Sequence, residues 1–181
     1  VKKSSEPLKK LDKLKEIGKK KVVVGIFDRE IAQYAVYVEY GWVQRTTVKQ
    51  AAFLNWALGG YAKAGIKPGI ALVNPPRPFL GGTFLAEHDN WKKILQNALK
   101  RDWDPEKALT LVGQKAAEDV RQTIIKGGTS DEEFPRRSPL TLARLQAQSA
   151  GHKVSTPSAT ATDKPLQLSG ALLNSITFEV V

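Results

Sequence analysis

Leu8, Leu11, Leu14 and Ile17 recur every three residues with lysines between them. This spacing predicts a short amphipathic helix from Pro7 to Ile17, with Ser5 placed to cap it and Gly18 to stop it. Lys21 to Phe27 is a continuous β-branched run, which reads as a strand with substantial burial closed by Asp28 and Arg29. From Ile31 to Tyr40, the residues Tyr34, Val36, Val38 and Tyr40 alternate as in a strand, while the start of the segment fits a helix equally; Gly41 ends it either way. Phe53, Trp56 and Ala57 fall at helical spacing within 46–58, with Gly59 and Gly60 as a break. Ile70 to Val73 reads as a short strand that runs into Pro75, Pro76, Arg77 and Pro78, where the prolines force a turn.

Two long helices come next. Phe84, Leu85, Trp91, Leu95, Ala98 and Leu99 share roughly one face of a helix reaching Arg101, with Thr83 as its expected N-cap. The second starts with Asp104 as cap and Pro105 at the first position, and its buried stripe is Leu109, Val112, Ala116, Val120 and Ile124. Residues 127–139 read as a polar loop, Leu140, Leu142 and Leu145 as a short helical segment, and 151–163 as a second loop rich in Ser, Thr, Ala and Pro. Pro165 to Asn174 gives a turn and one helical turn before a terminal strand, Ser175 to Val181. The expected fold is α+β: a small, mainly antiparallel sheet from the Val22, Tyr34, Ile70 and Ile176 regions against two long helices, with the N-terminal amphipathic helix outside it. The expected organisation is a basic helix over 1–20 and a single domain over 21–181, carrying an insert at 44–69.

Length and composition sharpen this picture. At 181 residues with 41% hydrophobic and 25% charged positions, the chain matches one ordinary globular domain rather than a disordered or fibrous one. No run approaches the length of a membrane helix and no apolar segment follows the basic N-terminus, so no membrane partner is expected and the chain reads as soluble and unsecreted, with Val1 not necessarily the first codon. The net charge of +10 is uneven: residues 1–21 hold nine lysines against three acids, and the remainder is nearly balanced. A lysine run of this kind either solvates a helix face or neutralises phosphates. Lys9, Lys10, Lys13, Arg136 and Arg137 are therefore the candidate DNA-facing residues.

Catalytic chemistry has few parts to work with. Cysteine is absent, which removes disulfides, thiolate metal sites and cysteine nucleophiles, and the two histidines, His88 and His152, are far apart. Glu87, His88 and Asp89 are neighbours that point in different directions on a helix, which favours a surface cluster over a hydrolytic or metal site. Asp131, Glu132 and Glu133 lack the alternating ligands of a calcium loop, and Gly81, Gly82 and Thr83 lack the lysine of a phosphate loop. No catalytic residue, metal or cofactor is expected. Trp42, Trp56, Trp91 and Trp103 fit a core or an interface better than base stacking.

One ordered set of motifs does point to a family. A strand with Val24-Gly25-Ile26, a Tyr34-Ala35 to Glu39-Tyr40-Gly41 segment, Pro75-Pro76-Arg77-Pro78-Phe79-Leu80, and a closing Lys164-Pro165-Leu166, Ser169-Gly170, Leu172 and Asn174-Ser175-Ile176 follow one another. From about Val22 to Val181, the chain resembles the tail-completion, or neck, proteins of long-tailed bacteriophages. That broad group includes minor tail protein Z of lambda-like phages and the virion morphogenesis proteins of Mu-like phages. The resemblance rests chiefly on Arg77 to Leu80 and on Pro165, Leu166, Gly170, Leu172, Ser175 and Ile176. The 44–69 excursion is longer than the family's usual link.

The resemblance implies a non-enzymatic virion protein forming a ring, commonly of six copies, at the head-proximal end of the tail, assembled in the host cytoplasm. Its implied partners are further copies of itself, a tail terminator or tail tube protein, and a head connector or adaptor, with packaged viral DNA in the lumen as a further candidate. Symmetric closure would give two unlike ring faces held by a few aromatic or arginine anchors. The candidate interface residues are Trp42, Trp56, Arg77 and Phe79; structural roles compete for the last two, with Arg77 in an internal pair and Phe79 anchoring a turn in the core. The competing function is a nucleic-acid-binding module that uses the basic N-terminal helix.

Overall fold

Asp28 turns the chain from its first strand into a helix: its carboxylate accepts hydrogen bonds from the backbone N–H groups of Glu30 and Ile31, both at 3.0 Å. The strand is β1 (Val22–Ile26) and the helix α1 (Arg29–Tyr40). The computed structural model describes residues 18–58, 65–149 and 170–181, with Lys15 and Leu166. The predicted helix at Pro7 to Ile17 and the 151–163 loop lie outside the described residues, apart from Lys15.

After α1 come β2 (Trp42–Arg45), α2 (Val48–Leu58), β3 (Ala71–Asn74), the long α3 (Gly81–Asp102) and α4 (Pro105–Lys126), then α5 (Pro139–Ser149), a one-turn α6 (Ala171–Ser175) and β4 (Ile176–Val180). The architecture is α+β. The strands form two separate antiparallel pairs. β1 pairs with β4, with Val22 opposite Val180 and Ile26 opposite Ile176, and β2 pairs with β3, with Trp42 opposite Asn74 and Arg45 opposite Ala71. The expected single sheet is therefore corrected. Tyr34 lies in α1, because Ala35, Val38 and Glu39 give that segment a buried face at helical spacing, and the Ile70 region pairs with Trp42–Arg45 instead.

The core forms where α4 packs against α3, β1 and β4. Phe79, Ile124 and Ile176 are fully buried at its centre, surrounded by Ala35, Val38, Ala117, Val120, Phe134 and Leu172. Gly113 of α4 lets the sheet approach: any Cβ there would run into the ring of Phe178 on β4. Asp104 caps α4 by accepting from Lys107 N–H at 3.3 Å with Pro105 behind it, as the sequence predicts. Arg121 then reaches across to donate to the Ile176 carbonyl at 2.6 Å, tying α4 to the start of β4.

The outer helix departs from expectation at its beginning. Thr83 is not the cap of α3; its hydroxyl is buried 2.6 Å from the Phe79 carbonyl and 2.7 Å from the Thr123 hydroxyl of α4. Phe84 and Leu85 are exposed rather than inward. The helix is held further along by Trp91, whose indole N–H donates to Asp119 of α4 at 2.9 Å. In α5 the buried positions are Ala143 and Ala147 rather than the leucines, so that helix makes its close contact through its small residues.

Candidate functional site

Two of the sequence motifs meet in one joint. At the end of α1, the Glu39 carboxylate accepts from Leu80 N–H at 3.0 Å and from Gly81 N–H at 2.8 Å, so it caps α3 from another element. Those N–H groups have no partner inside α3, and an anion there also meets the positive end of the helix dipole. Gly41 follows with φ +70, and a Cβ on it would collide with the backbone of Asn74 and Pro76. Val38 accepts from Arg77 N–H at 2.9 Å, which closes the joint from the other side.

The Arg77 side chain is buried and spends its donors on neutral oxygens. Nε donates to the Pro135 carbonyl at 3.1 Å, Nη2 to the Arg136 carbonyl at 3.1 Å, and Nη1 to Asn74 Oδ1 at 2.9 Å and the Pro75 carbonyl at 3.3 Å. The guanidinium thus pins the 135–136 segment to the end of β3. Burial pushes the Arg77 pKa down, with the Tyr34 phenol opposing the shift and Arg137 adding to it. Burial likewise pushes the Tyr34 phenol up, while Arg77 and Arg137 pull it back. Phe79, in the same motif, is 0% exposed. Arg77 and Phe79 are therefore corrected as interface candidates: one is an internal clamp and the other the centre of the core.

Comparison with protein-family models, curated proteins and solved structures gave no match. What the chain offers to a partner is therefore read from its own surface. The 44–69 excursion supplies the end of β2, α2 and the lead into β3. Thr47 and Gln50 form a reciprocal capping box at the start of α2, with bonds of 3.0 and 3.2 Å. Asn55 fastens the other half of the helix to Ile66 through two bonds, of 2.9 and 2.7 Å. The inner face of α2 is Ala51, Ala57 and Leu58, and the helix packs against α5.

Its outer face is apolar as well. Val48, Phe53 and Trp56 are 71%, 58% and 72% exposed, and helical spacing sets them with Ala52 around Lys49. The rings of Phe53 and Trp56 lie 6.0 Å apart between centroids. A helix with apolar residues on two faces is ordinarily buried on more than one side. Tyr40, Val43 and Val73 are also exposed, and Trp42 partly so. Trp42 and Trp56 therefore remain at the surface as candidate interface residues.

The other candidates separate differently. Arg136 is exposed, whereas Arg137 is 6% exposed and so is corrected as a DNA-facing residue. Lys9, Lys10 and Lys13 lie outside the described residues. His88 stacks on Phe84 at 5.5 Å and its Nε2 sits 3.4 Å from Asp89. Lys92, hydrogen-bonded to Asp89, holds that carboxyl below its ordinary range, with His88 adding to the effect. Among the described residues, no group of three metal-ligating side chains converges.

The sequence reading missed Glu39 as a cap and the outward direction of Phe53. No local rule marks the first, because its partners are 41 and 42 residues away. The second had a signal: the polar residues of α2, Lys49, Gln50 and Asn55, are few and spread around the helix, so they do not make one continuous polar face.

Proposed function

We propose that this chain is a non-enzymatic structural protein of a long-tailed bacteriophage, closing into a ring at the head-proximal end of the tail and joining the tail to the head. The observation that carries this reading is the joint itself. Glu39, Gly41, Arg77 and Phe79, which belong to separate motifs of the family resemblance, meet there, and Leu172 and Ile176 of the closing motif share the core with Phe79. The motifs in question thus hold one fold together instead of lining a pocket, as suits a protein whose function is assembly. The unburied apolar face of α2 on the excursion supports a partner-binding role for that segment.

In this role the partners are further copies of the chain, a tail terminator or tube protein on one ring face and a head connector on the other. Light scattering of the purified protein at low and high salt, with and without duplex DNA and with isolated tails, tests the reading. A DNA-independent particle of about six copies, alone or on added tails, is the expected outcome. A chain that stays monomeric in every condition and ignores tails overturns it.

The second reading, a nucleic-acid module, draws on a specific feature: no acidic residue occurs between Glu39 and Glu87, while Arg45, Lys49, Lys63 and Lys67 do, besides the buried Arg77. It predicts duplex binding whose affinity falls steeply with salt.

A further inference from the structure

The outer face of α2 is basic as well as apolar. Lys49 stands among Val48, Ala52, Phe53 and Trp56, and Arg45 and Lys67 flank the start of the helix, where the Thr46 hydroxyl donates to the Lys67 carbonyl at 2.9 Å. Arg45, Lys49 and Lys67 make no ion pair among the described residues.

A face of opposite character is built from different elements. The turn at 128–130 lies against the first turns of α3, where a Cβ on Gly82 would come within 3.1 Å of Thr129, and Ala86 shares a cleft with Gly128 and Ser130. Leu85 and Asp89 stand on α3 one row over from Gly82 and Ala86, and Leu85 is 74% exposed. Asp131, Glu132 and Glu133 follow the turn, all exposed and none in an ion pair among the described residues. The acidic character comes from 131–133: Lys126 lines the cleft beside the turn and Lys92 pairs with Asp89 at 3.0 Å, whereas no basic residue pairs with Asp131, Glu132 or Glu133 among the described residues.

We propose that the apolar, basic face of α2 in one copy docks on the apolar, acidic face of the next, with Trp56 and Phe53 meeting Leu85 while Lys49, Arg45 and Lys67 oppose Asp131, Glu132 and Glu133. The inference rests on the ring reading and deepens it by naming the subunit contact. A contact between two unlike faces of one chain is heterologous, the type that builds rings. Opposite charges around an apolar centre fix which face meets which and penalise contacts of a face with its own kind.

The test uses two full-length variants, Trp56→Asp and Leu85→Asp, under conditions in which the wild-type chain assembles. Both positions are exposed, and thermal unfolding checks that each variant keeps the wild-type midpoint. Each variant alone should stay monomeric, because each loses one face. Mixed in equal amounts they should form a one-to-one pair and nothing larger, since one intact face of each remains. A charge exchange supplies the second arm: Lys49→Glu and Glu132→Lys should each weaken assembly at least tenfold, and the two together in one chain should restore it.

Trp56→Asp assembling like the wild type, or a mixture that stays monomeric, overturns this contact and leaves the ring reading in place. A wild-type chain that never assembles overturns the ring reading itself. Duplex binding lost in Lys49→Glu with particle mass unchanged would assign the α2 face to nucleic acid and overturn the contact.

Discussion

The joint between α1 and α3 and the excursion carrying α2 solve opposite problems with opposite materials. In the joint, charged side chains are inside: Glu39 and Arg77 are 8% and 5% exposed, and each is surrounded by backbone partners. On the excursion, apolar side chains are outside, with Trp56 among the most exposed large residues described. The joint is finished within one chain because the N–H groups of Leu80 and Gly81 and the guanidinium of Arg77 all find acceptors there. The outer face of α2 is not complete, because apolar surface gains stability only when water is removed from it. A buried charge is thus a sign of finished internal architecture here, and an exposed tryptophan a sign of work left for a partner.

Mutations can break this contrast, beginning where the effect should be largest. Phe79→Ala removes the ring at the centre of the core and should cost about 3–5 kcal/mol in chemical denaturation. An effect below about 1 kcal/mol would place the true core elsewhere. Arg77→Met keeps bulk but strands three carbonyls and Asn74, for an expected loss of about 2–3 kcal/mol, and Arg77→Lys should restore little because a point charge cannot span the same acceptors. Glu39→Ala uncaps α3 and should cost about 2 kcal/mol.

A smaller effect concerns acid. The backbone N–H of Lys107 holds the Asp104 carboxyl below its ordinary value. A carboxylate whose pKa is depressed by folding contributes stability that is full above its unfolded value and lost as pH falls through the folded one. The unfolding midpoint should therefore drop as pH falls below the ordinary aspartate range, and Asp104→Asn should flatten that dependence. The smallest effect belongs to the excursion: Trp56→Asp should leave the stability of the isolated chain within about 0.5 kcal/mol of wild type. A loss of 2 kcal/mol or more would mean that Trp56 belongs to the monomer's own core and would erase the contrast.

The sequence rendered some of this legible at once. Asp104 with Pro105 before α4 is a local signal, read over three or four residues, and the stripe from Leu109 to Ile124 is a periodicity within one helix, whereas the sequence marks Asp28 only as the end of β1 and the structure shows that it also caps α1. Tyr34 misled in part because alternation and helical spacing overlap when both faces of a segment carry large apolar residues. Thr83 misled because a hydroxyl ahead of a helical pattern looks like a cap, whereas its partners, Phe79 and Thr123, lie in the interior of the fold.

The sequence by itself therefore determined the start of α4 at Asp104 and Pro105 and the buried stripe of that helix, since caps, prolines and periodic stripes act through neighbours along the chain. Only the tertiary structure decided that Glu39 caps a helix 41 residues onward, that Arg77 clamps carbonyls 58 and 59 residues away, and that Phe53 and Trp56 face outward. These depend on which surfaces meet after folding, and the free energy that selects them comes from burial and satisfied hydrogen bonds between segments that no local pattern links.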